Sequence, residues 1–91
     1  MVEIKEAENG FYVGEADQKE AEIHYVPSGK DIIIIDHTMV SDHLSGQGVG
    51  QALVERMVQY ARAEGVKIMP LCPFAKGQFD RHESYADVLL K

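Results

Sequence analysis

Three alternating glycines, in the run Ser45-Gly46-Gln47-Gly48-Val49-Gly50, stand immediately before a strongly amphipathic stretch of sequence. A helix begins with four backbone N–H groups that lack partners within it, and its aligned peptide dipoles make that end partly positive. Glycine permits positive φ angles and leaves no Cβ between the backbone and a ligand. The run therefore predicts a loop whose backbone amides bind a phosphate or pyrophosphate group.

Two common phosphate-binding motifs do not fit this run. A Walker loop needs Lys and then Ser or Thr after its last glycine, whereas Gln51-Ala52 follows Gly50. A dinucleotide-binding loop needs its third glycine three residues after the second and an acidic residue at the end of the next strand. Position 51 is Gln, and Pro70-Leu71 occupies the place of the acid. A nucleotide-binding module of some other kind is kept as a minor alternative.

The histidines offer acid–base chemistry rather than metal binding. They show no paired ligand spacing with one another or with Cys72, so we expect no metal site; they are His24, His37, His43 and His82. His37 lies in an otherwise apolar strand. A histidine there is either a hydrogen-bonded core residue or, because it titrates near neutral pH, a general base.

The elements before the glycine run are predicted strands. Residues 2–8 and 11–16 are typical of a hairpin, because Asn9-Gly10 supplies the positive φ angles of a tight turn. Residues 20–26 form a third predicted strand and residues 27–30 a turn. The β-branched residues 31–40 contain a continuous apolar run, as expected of a central strand buried on both faces.

The second half of the chain is predicted to be mainly helical. Residues 48–64 carry one apolar stripe, and Gly65 follows as a helix C-cap. Residues 66–71 then form a strand parallel to the fourth, joined to it by a right-handed crossover. Short helices are expected around 74–81 and 84–90. The predicted fold class is α/β (α+β), a mixed five-stranded sheet in the order β-β-β-β-α-β-α.

Composition limits the class of protein. The 91 residues are 45% hydrophobic and 26% charged, which indicates one globular domain spanning 1–91. A net charge of -6 argues against nucleic-acid binding. Acidic residues crowd the first quarter, as a solvated face or a surface that recognises a cationic acceptor. With one cysteine, no leader-like start and no apolar run long enough to cross a bilayer, we expect a cytoplasmic protein that has no membrane partner.

The glycine run resembles the phosphate loop of the Gcn5-related N-acetyltransferases, Gln/Arg-x-x-Gly-x-Gly/Ala, which follows their fourth strand. Gly48 and Gly50 match its two small positions, while Ser45 replaces the Arg or Gln. Further segments resemble the small, single-domain, acetyl-CoA-binding members of that superfamily: His37-Thr38, Pro70-Leu71-Cys72-Pro73-Phe74, Arg81-His82 and Tyr85. The resemblance covers almost the whole chain.

This resemblance implies where acetyl-CoA would bind. The fourth and fifth strands would separate, and the pantetheine arm would lie between them against the backbone of Met39 and Val40, which would also polarise the thioester carbonyl. The pyrophosphate would bind the loop at Gly46, Gln47, Gly48, Val49 and Gly50, with lower affinity because Ser45 departs from the motif. The acceptor site would be shallow or shared with a partner.

Cys72 and His37 are the candidate catalytic residues. A thiolate and a thioester exchange an acyl group readily, so Cys72 can form an acetyl-cysteine intermediate, and a nearby cation such as His37 or His82 would favour its thiolate. The other interpretation of Cys72 is a small buried hydrophobe. Tyr85 either protonates the departing thiolate or packs the terminal helix.

The expected function is an acetyl-CoA-binding N-acetyltransferase. It would transfer acetyl to an amine, on a small molecule or a protein lysine, directly or through Cys72. The alternative is a non-catalytic acetyl-CoA sensor or adaptor protein.

Overall fold

The computed structural model describes residues 3–90, which form one five-stranded sheet with helices packed on one of its faces. The strands are β1 (Lys5–Ala7), β2 (Gly10–Glu15), β3 (Gln18–Ser28), β4 (Ile32–Val40) and β5 (Lys67–Pro70). They lie in sequence order; β1 to β4 are antiparallel, and β5 is parallel to β4. The predicted mixed sheet is confirmed. The start of the predicted first strand, Val2, lies outside the described residues.

Two α-helices and two 3-10 segments complete the fold. Helix α1 spans Val49–Glu64 and helix α2 spans Pro73–Arg81. A 3-10 turn at Asp42–Leu44 joins β4 to the glycine run. The helix predicted around 84–90 is instead a 3-10 helix, Glu83–Val88, after which Leu90 donates to the Ile68 carbonyl oxygen at 2.9 Å. The end of the described chain therefore joins the edge of the sheet.

The core lies between α1 and the inner face of the sheet. The apolar stripe predicted for α1 is buried, with Leu53, Val54, Met57 and Val58 each at 0% exposure. The helix ends at Gly65, whose φ of 71° is the left-handed C-cap conformation expected there. Helix α2 joins the same cluster through Ala75 and Phe79, so both helices cover the same face.

Strand β4 differs from the expectation of a strand buried on both faces. Ile33 and Ile35 are buried at 4% and 0% exposure, but Ile32 and Ile34 are only half-buried. The reason is that no described helix packs on the outer face of the sheet, which β4 shares with the polar side of β3. The turn before β4 is also tighter than predicted, because Pro27 and Ser28 still pair with Ile33 and Ile32.

Candidate functional site

The site begins where β5 separates from β4. The two strands pair from Ile32 with Lys67 to Ile35 with Pro70. The amides of Leu71 and Cys72 then both donate to the Ile35 carbonyl oxygen, each at 3.1 Å. Beyond that point β4 continues for five residues without a β5 partner in the described chain. The result is a V-shaped gap between the C-terminal ends of two parallel strands, as the family resemblance implied.

A β-bulge decides which residues of β4 face this gap. Tyr25 pairs with Ile35 and His24 pairs with His37, so Asp36 is an extra residue in β4. Regular alternation would have put His37 on the same face as Ile33 and Ile35. With Asp36 inserted, His37 and Met39 lie on the outer face, and Thr38 and Val40 lie on the inner face towards the helices.

The backbone of β4 alternates in the same way. Ser41 donates its amide to the Glu20 carbonyl oxygen at 2.8 Å, which makes this pair a hydrogen-bonded one. Because such pairs alternate in an antiparallel ladder, Met39 and His37 also donate to β3, whereas the amides of Thr38 and Val40 point into the gap. Of the two residues predicted to offer amides, Val40 does so and Met39 does not. Thr38 takes its place.

Cys72 lies at the apex of the gap, half-buried, as the N-cap residue of α2. Burial raises the pKa of its thiol, but the backbone amides of Ala75 and Phe74 lower it, as do the hydroxyl and amide of Thr38, and the net pKa lies below its ordinary value. The lowered pKa comes from helix and strand amides and the Thr38 hydroxyl, not from His37 or His82 as the sequence suggested.

The glycine run leaves its backbone open to solvent at the start of α1. Gly46 and Gly48 have φ angles of 82° and 77°, and a Cβ at either position would meet no atom within 4 Å. Gly48 is the N-cap of α1, and the first helical bond of that turn runs from Ala52 to the Gly48 carbonyl oxygen at 3.0 Å. The amides of Val49, Gly50 and Gln51 precede that bond and have no partner within the helix.

A cavity of about 220 Å³ connects this loop to α2. Its lining includes Val40, Ser45, Gly48, Gly50, Phe74 and Gln78. A Cβ at Gly50 would lie 2.5 Å from the Phe74 ring, so glycine at this position allows the ring to pack against the start of α1. The glycine loop, Val40 at the end of β4 and helix α2 thus line one cavity.

Two buried polar atoms at this site have no hydrogen-bond partner among the described residues: Gln78 Oε1 and Thr38 Oγ1. Gln78 is 6% exposed and lines the cavity, and Thr38 faces the gap. Unpaired buried acceptors are uncommon because each loses its hydration without compensation. Gln78 Oε1 is therefore a candidate to contact a ligand in the cleft, whereas the Thr38 hydroxyl faces the Cys72 sulfur and can donate to its thiolate.

The other predicted residues lie elsewhere. Tyr85 is 5% exposed and packs edge-on against Phe79, and burial and then Glu55 raise the pKa of its phenol. His82 stacks on Tyr85, and His43 pairs with Glu20 at 2.5 Å. Within residues 3–90, no group of three or more His, Cys, Asp and Glu side chains could hold a metal ion, and no helix is long and apolar enough to span a membrane.

The comparisons with known proteins agree with this geometry. Residues 10–88 match the sequence model of a GCN5-related N-acetyltransferase family, and the chain belongs to that family. A GCN5-like N-acetyltransferase candidate from Staphylococcus aureus is 46% identical, with a TM-score of 0.84 over 98% of this chain and 88% of that one. No curated protein sequence matches the chain.

More distant solved structures share only the fold. One is Rv2747 from Mycobacterium tuberculosis in complex with CoA, 23% identical with a TM-score of 0.65 over 82% of this chain and 47% of that chain. Another is a GNAT-family protein from Desulfovibrio desulfuricans, 15% identical with a TM-score of 0.58 over 86% of this chain and 51% of that one. The predicted family, fold class and function class are confirmed: the chain is a member of a family of acetyl-CoA-dependent N-acetyltransferases.

Thr38, Phe74 and Gln78 are the site residues that the sequence did not reveal. The bulge at Asp36, which turns Thr38 inward, has no distinctive sequence signal. Phe74 and Gln78 are four residues apart and so lie on one face of α2. The spacing can be seen in the sequence, but nothing in the sequence indicates that this face of α2 packs towards the glycine loop.

The environment of Cys72 predicts an effect of Thr38 on thiol reactivity. In Thr38→Val the hydroxyl that stabilises the thiolate is lost, so the thiol pKa rises and the pH midpoint of iodoacetamide alkylation shifts upward. Thr38→Ser keeps a hydroxyl and is the matched control. The midpoint is measured from alkylation rates by intact mass. A midpoint that is the same in both variants would show that the hydroxyl has no part in lowering the pKa.

Proposed function

We propose that this chain binds acetyl-CoA along the cleft from the glycine loop to the apex of the V-shaped gap, and transfers its acetyl group to an amine. The observation that carries the proposal is one cavity that joins the glycine loop at Gly46 and Gly48 to Val40 of β4 and Gln78 of α2. The thiol of lowered pKa at Cys72 lies just before the same helix, at the apex of the gap.

The pyrophosphate would bind the loop amides at Gly46, Gly48, Val49 and Gly50. The amide of Gln47, which was also predicted to bind it, donates to the Leu44 carbonyl oxygen at 3.3 Å. The loop and its neighbours Ser45 and Gln51 include no basic side chain. The attraction for the pyrophosphate then comes from unpaired amides and the helix dipole rather than from ion pairs. Ser45 would add at most a hydroxyl where the family motif has Arg or Gln.

The pantetheine arm would occupy the gap between the strands. It carries amide N–H and C=O groups, and the cleft offers partners for both. The amide of Val40 can donate to one of its carbonyl oxygens, and Gln78 Oε1 can accept from one of its N–H groups. This replaces the role predicted for Met39, whose amide is paired with β3.

The acetyl transfer would begin at Cys72. Its thiolate attacks the acetyl carbonyl carbon, the new C–S bond forms, and the C–S bond to CoA breaks with the electron pair leaving on the CoA sulfur. The Thr38 amide lies at the same place and can stabilise the negative carbonyl oxygen that develops. The acceptor amine then takes the acetyl group from Cys72, or directly from acetyl-CoA in a single step.

His37 has a narrower role than the sequence suggested. It lies on the outer face of the sheet, so it could act as a base only for an acceptor that approaches from that face. We propose an amine acceptor, on a small molecule or a protein lysine, and a cytoplasmic location, which the single cysteine supports. None of the comparisons supports the non-catalytic sensor.

A test of the anchor uses the two glycines that flank α1. Both are left-handed, with φ of 77° at Gly48 and 71° at Gly65, and both face open space. Gly48→Ala and Gly65→Ala should each lower the free energy of unfolding by about 1 kcal/mol, because a Cβ disfavours that conformation. Only Gly48→Ala should also weaken CoA binding, by about tenfold in a titration calorimeter. Equal CoA affinities in the two variants would show that the glycine loop does not contribute to CoA binding.

The buried side-chain amide of Gln78 predicts that replacing it will stabilise the fold and weaken CoA binding. Gln78→Met keeps the shape but removes the unpaired oxygen, so the free energy of unfolding should rise by about 1 kcal/mol. CoA affinity should fall about fivefold, because one hydrogen bond is lost. Gln59→Met, at an exposed position on α1, is the control and should change neither quantity. A more stable variant that binds CoA as tightly as the wild type would exclude Gln78 as a ligand.

Transfer through an acetyl-Cys72 intermediate is tested by measuring the intact mass of the protein. Wild type incubated with acetyl-CoA should gain one acetyl group, which hydroxylamine removes as it does a thioester, and Cys72→Ala should bind CoA without forming the adduct. An adduct that persists in Cys72→Ala or resists hydroxylamine would indicate lysine acetylation instead. If the wild type turns over an amine without any cysteine adduct, transfer is direct.

A further inference from the structure

Phe74 connects the glycine loop with the thiol, because its backbone and its ring contact different parts of the site. Its backbone amide is one of the donors to Cys72. Its ring reaches the start of α1, where a Cβ on Gly50 would lie 2.5 Å from Cζ and 2.9 Å from Cε2 of the ring. The ring also lines the cavity of about 220 Å³ beside the loop. Phe74 therefore extends from the apex of the gap to the first turn of α1.

Gly50 is needed for this contact rather than for its own conformation. Gly46 and Gly48 have positive φ angles, whereas Gly50 does not and belongs to the first turn of α1. In a helical backbone alanine is favoured over glycine. A Cβ at this position would force the ring to shift, because a Cβ does not lie 2.5 Å from another carbon. The missing Cβ therefore allows the Phe74 ring to pack directly on the helix backbone.

The contact with Gly50 covers only part of the ring. Phe74 is 42% exposed, and among residues 3–90 it pairs with no other aromatic ring. The lining of the same cavity includes further apolar side chains, from Val40, Leu44 and Val49. The cavity thus combines apolar side chains with the unpaired amides of the loop. Binding sites for small molecules have this composition, a largely apolar lining with a few placed polar groups.

The order of chemical groups in CoA indicates which part of it the ring would meet. The pyrophosphate is followed by a carbon that carries two methyl groups, and two amides then lead to the thiol. The adenosine lies on the other side of the pyrophosphate. With the pyrophosphate on the loop and the thioester at Cys72, a ring between them lies on the pantetheine side. The two methyl groups are the most apolar part of that side.

We infer that the Phe74 ring, packed on Gly50, binds the dimethyl segment of pantetheine and makes the cavity selective for CoA over nucleotides that carry only a pyrophosphate; the inference rests on the proposed binding of acetyl-CoA. The contact removes apolar surface of the ring and of both methyl groups from water. Phe74 is a positioning residue, because it holds the arm between the loop and Cys72.

The test compares three ligands in titrations followed by NMR. CoA has both halves, phosphopantetheine has the arm and one phosphate, and ADP has the pyrophosphate without the arm. Phe74→Ala should raise the Kd for CoA and for phosphopantetheine by about tenfold each, because the apolar contact is lost. The Kd for ADP should change by less than about twofold. Val26→Ala is the matched control, since Val26 is 43% exposed and lies outside the cavity lining, and it should change none of the three Kd values.

Gly50→Ala tests the packing of the ring. It should raise the Kd for CoA about tenfold in the wild type by displacing the ring, but less than about twofold in Phe74→Ala, which has no ring to displace. Equal losses in both backgrounds would mean that the missing Cβ serves the pyrophosphate, and would overturn the role given to Gly50.

The remaining outcomes separate this inference from the proposed function. In Phe74→Ala, a loss of affinity for ADP as large as that for phosphopantetheine would overturn the contact with the dimethyl segment. Unchanged affinity of Phe74→Ala for CoA would overturn this inference alone. A wild type that binds neither CoA nor phosphopantetheine would overturn the proposed function and this inference with it.

Discussion

The separation of β5 from β4 is the constraint on which the rest of the structure depends. Pro70 has no N–H to donate and ends the strand, and Pro73 three residues later begins α2. The two amides in between converge on a single carbonyl oxygen at Ile35, after which the chain turns away. Strand β4 continues without a β5 partner, so the inward amide of Thr38 faces the Cys72 sulfur and that of Val40 has no strand partner. A backbone donor left in that state is costly unless water or a ligand pairs with it.

The same local event places the thiol. Because α2 begins directly at the point of separation, Cys72 becomes its N-cap and faces the first amides of the helix. Burial would make the thiolate less stable, yet the amides and the Thr38 hydroxyl outweigh burial. A sulfur that merely filled a gap in the core would need none of these donors. Together with the unpaired oxygen of Gln78, this arrangement gives up some stability in the free protein in order to hold groups ready for a ligand.

Much of this could be predicted from local sequence patterns. The helical stripe around Leu53 and Met57 and the glycine that caps each end of α1 are local signals, and each appears in the structure. The hairpin appears as well, but the prediction of its turn was wrong. The two loop residues are Glu8 and Asn9, Asn9 has no positive φ, and Gly10 is the first residue of β2. The bulge at Asp36 is different, because it arises from how two strands match in length rather than from any residue type. A one-residue shift moves every later side chain to the other face. That shift is why His37 is on the outer face, and why regular alternation does not predict Thr38 on the inner face.

The single layer of helices explains how so small a fold could serve two substrates. Both helices pack on one face and enclose the cofactor cleft there, which leaves Ile34 and Met69 of the outer face only half-buried. In a thicker domain a second layer of helices would cover that face and separate it from the gap. Here no described helix covers that face, so the gap between β4 and β5 opens directly onto it. An acceptor that approached from there would meet a shallow surface, because the layer that would deepen it is not part of the described fold.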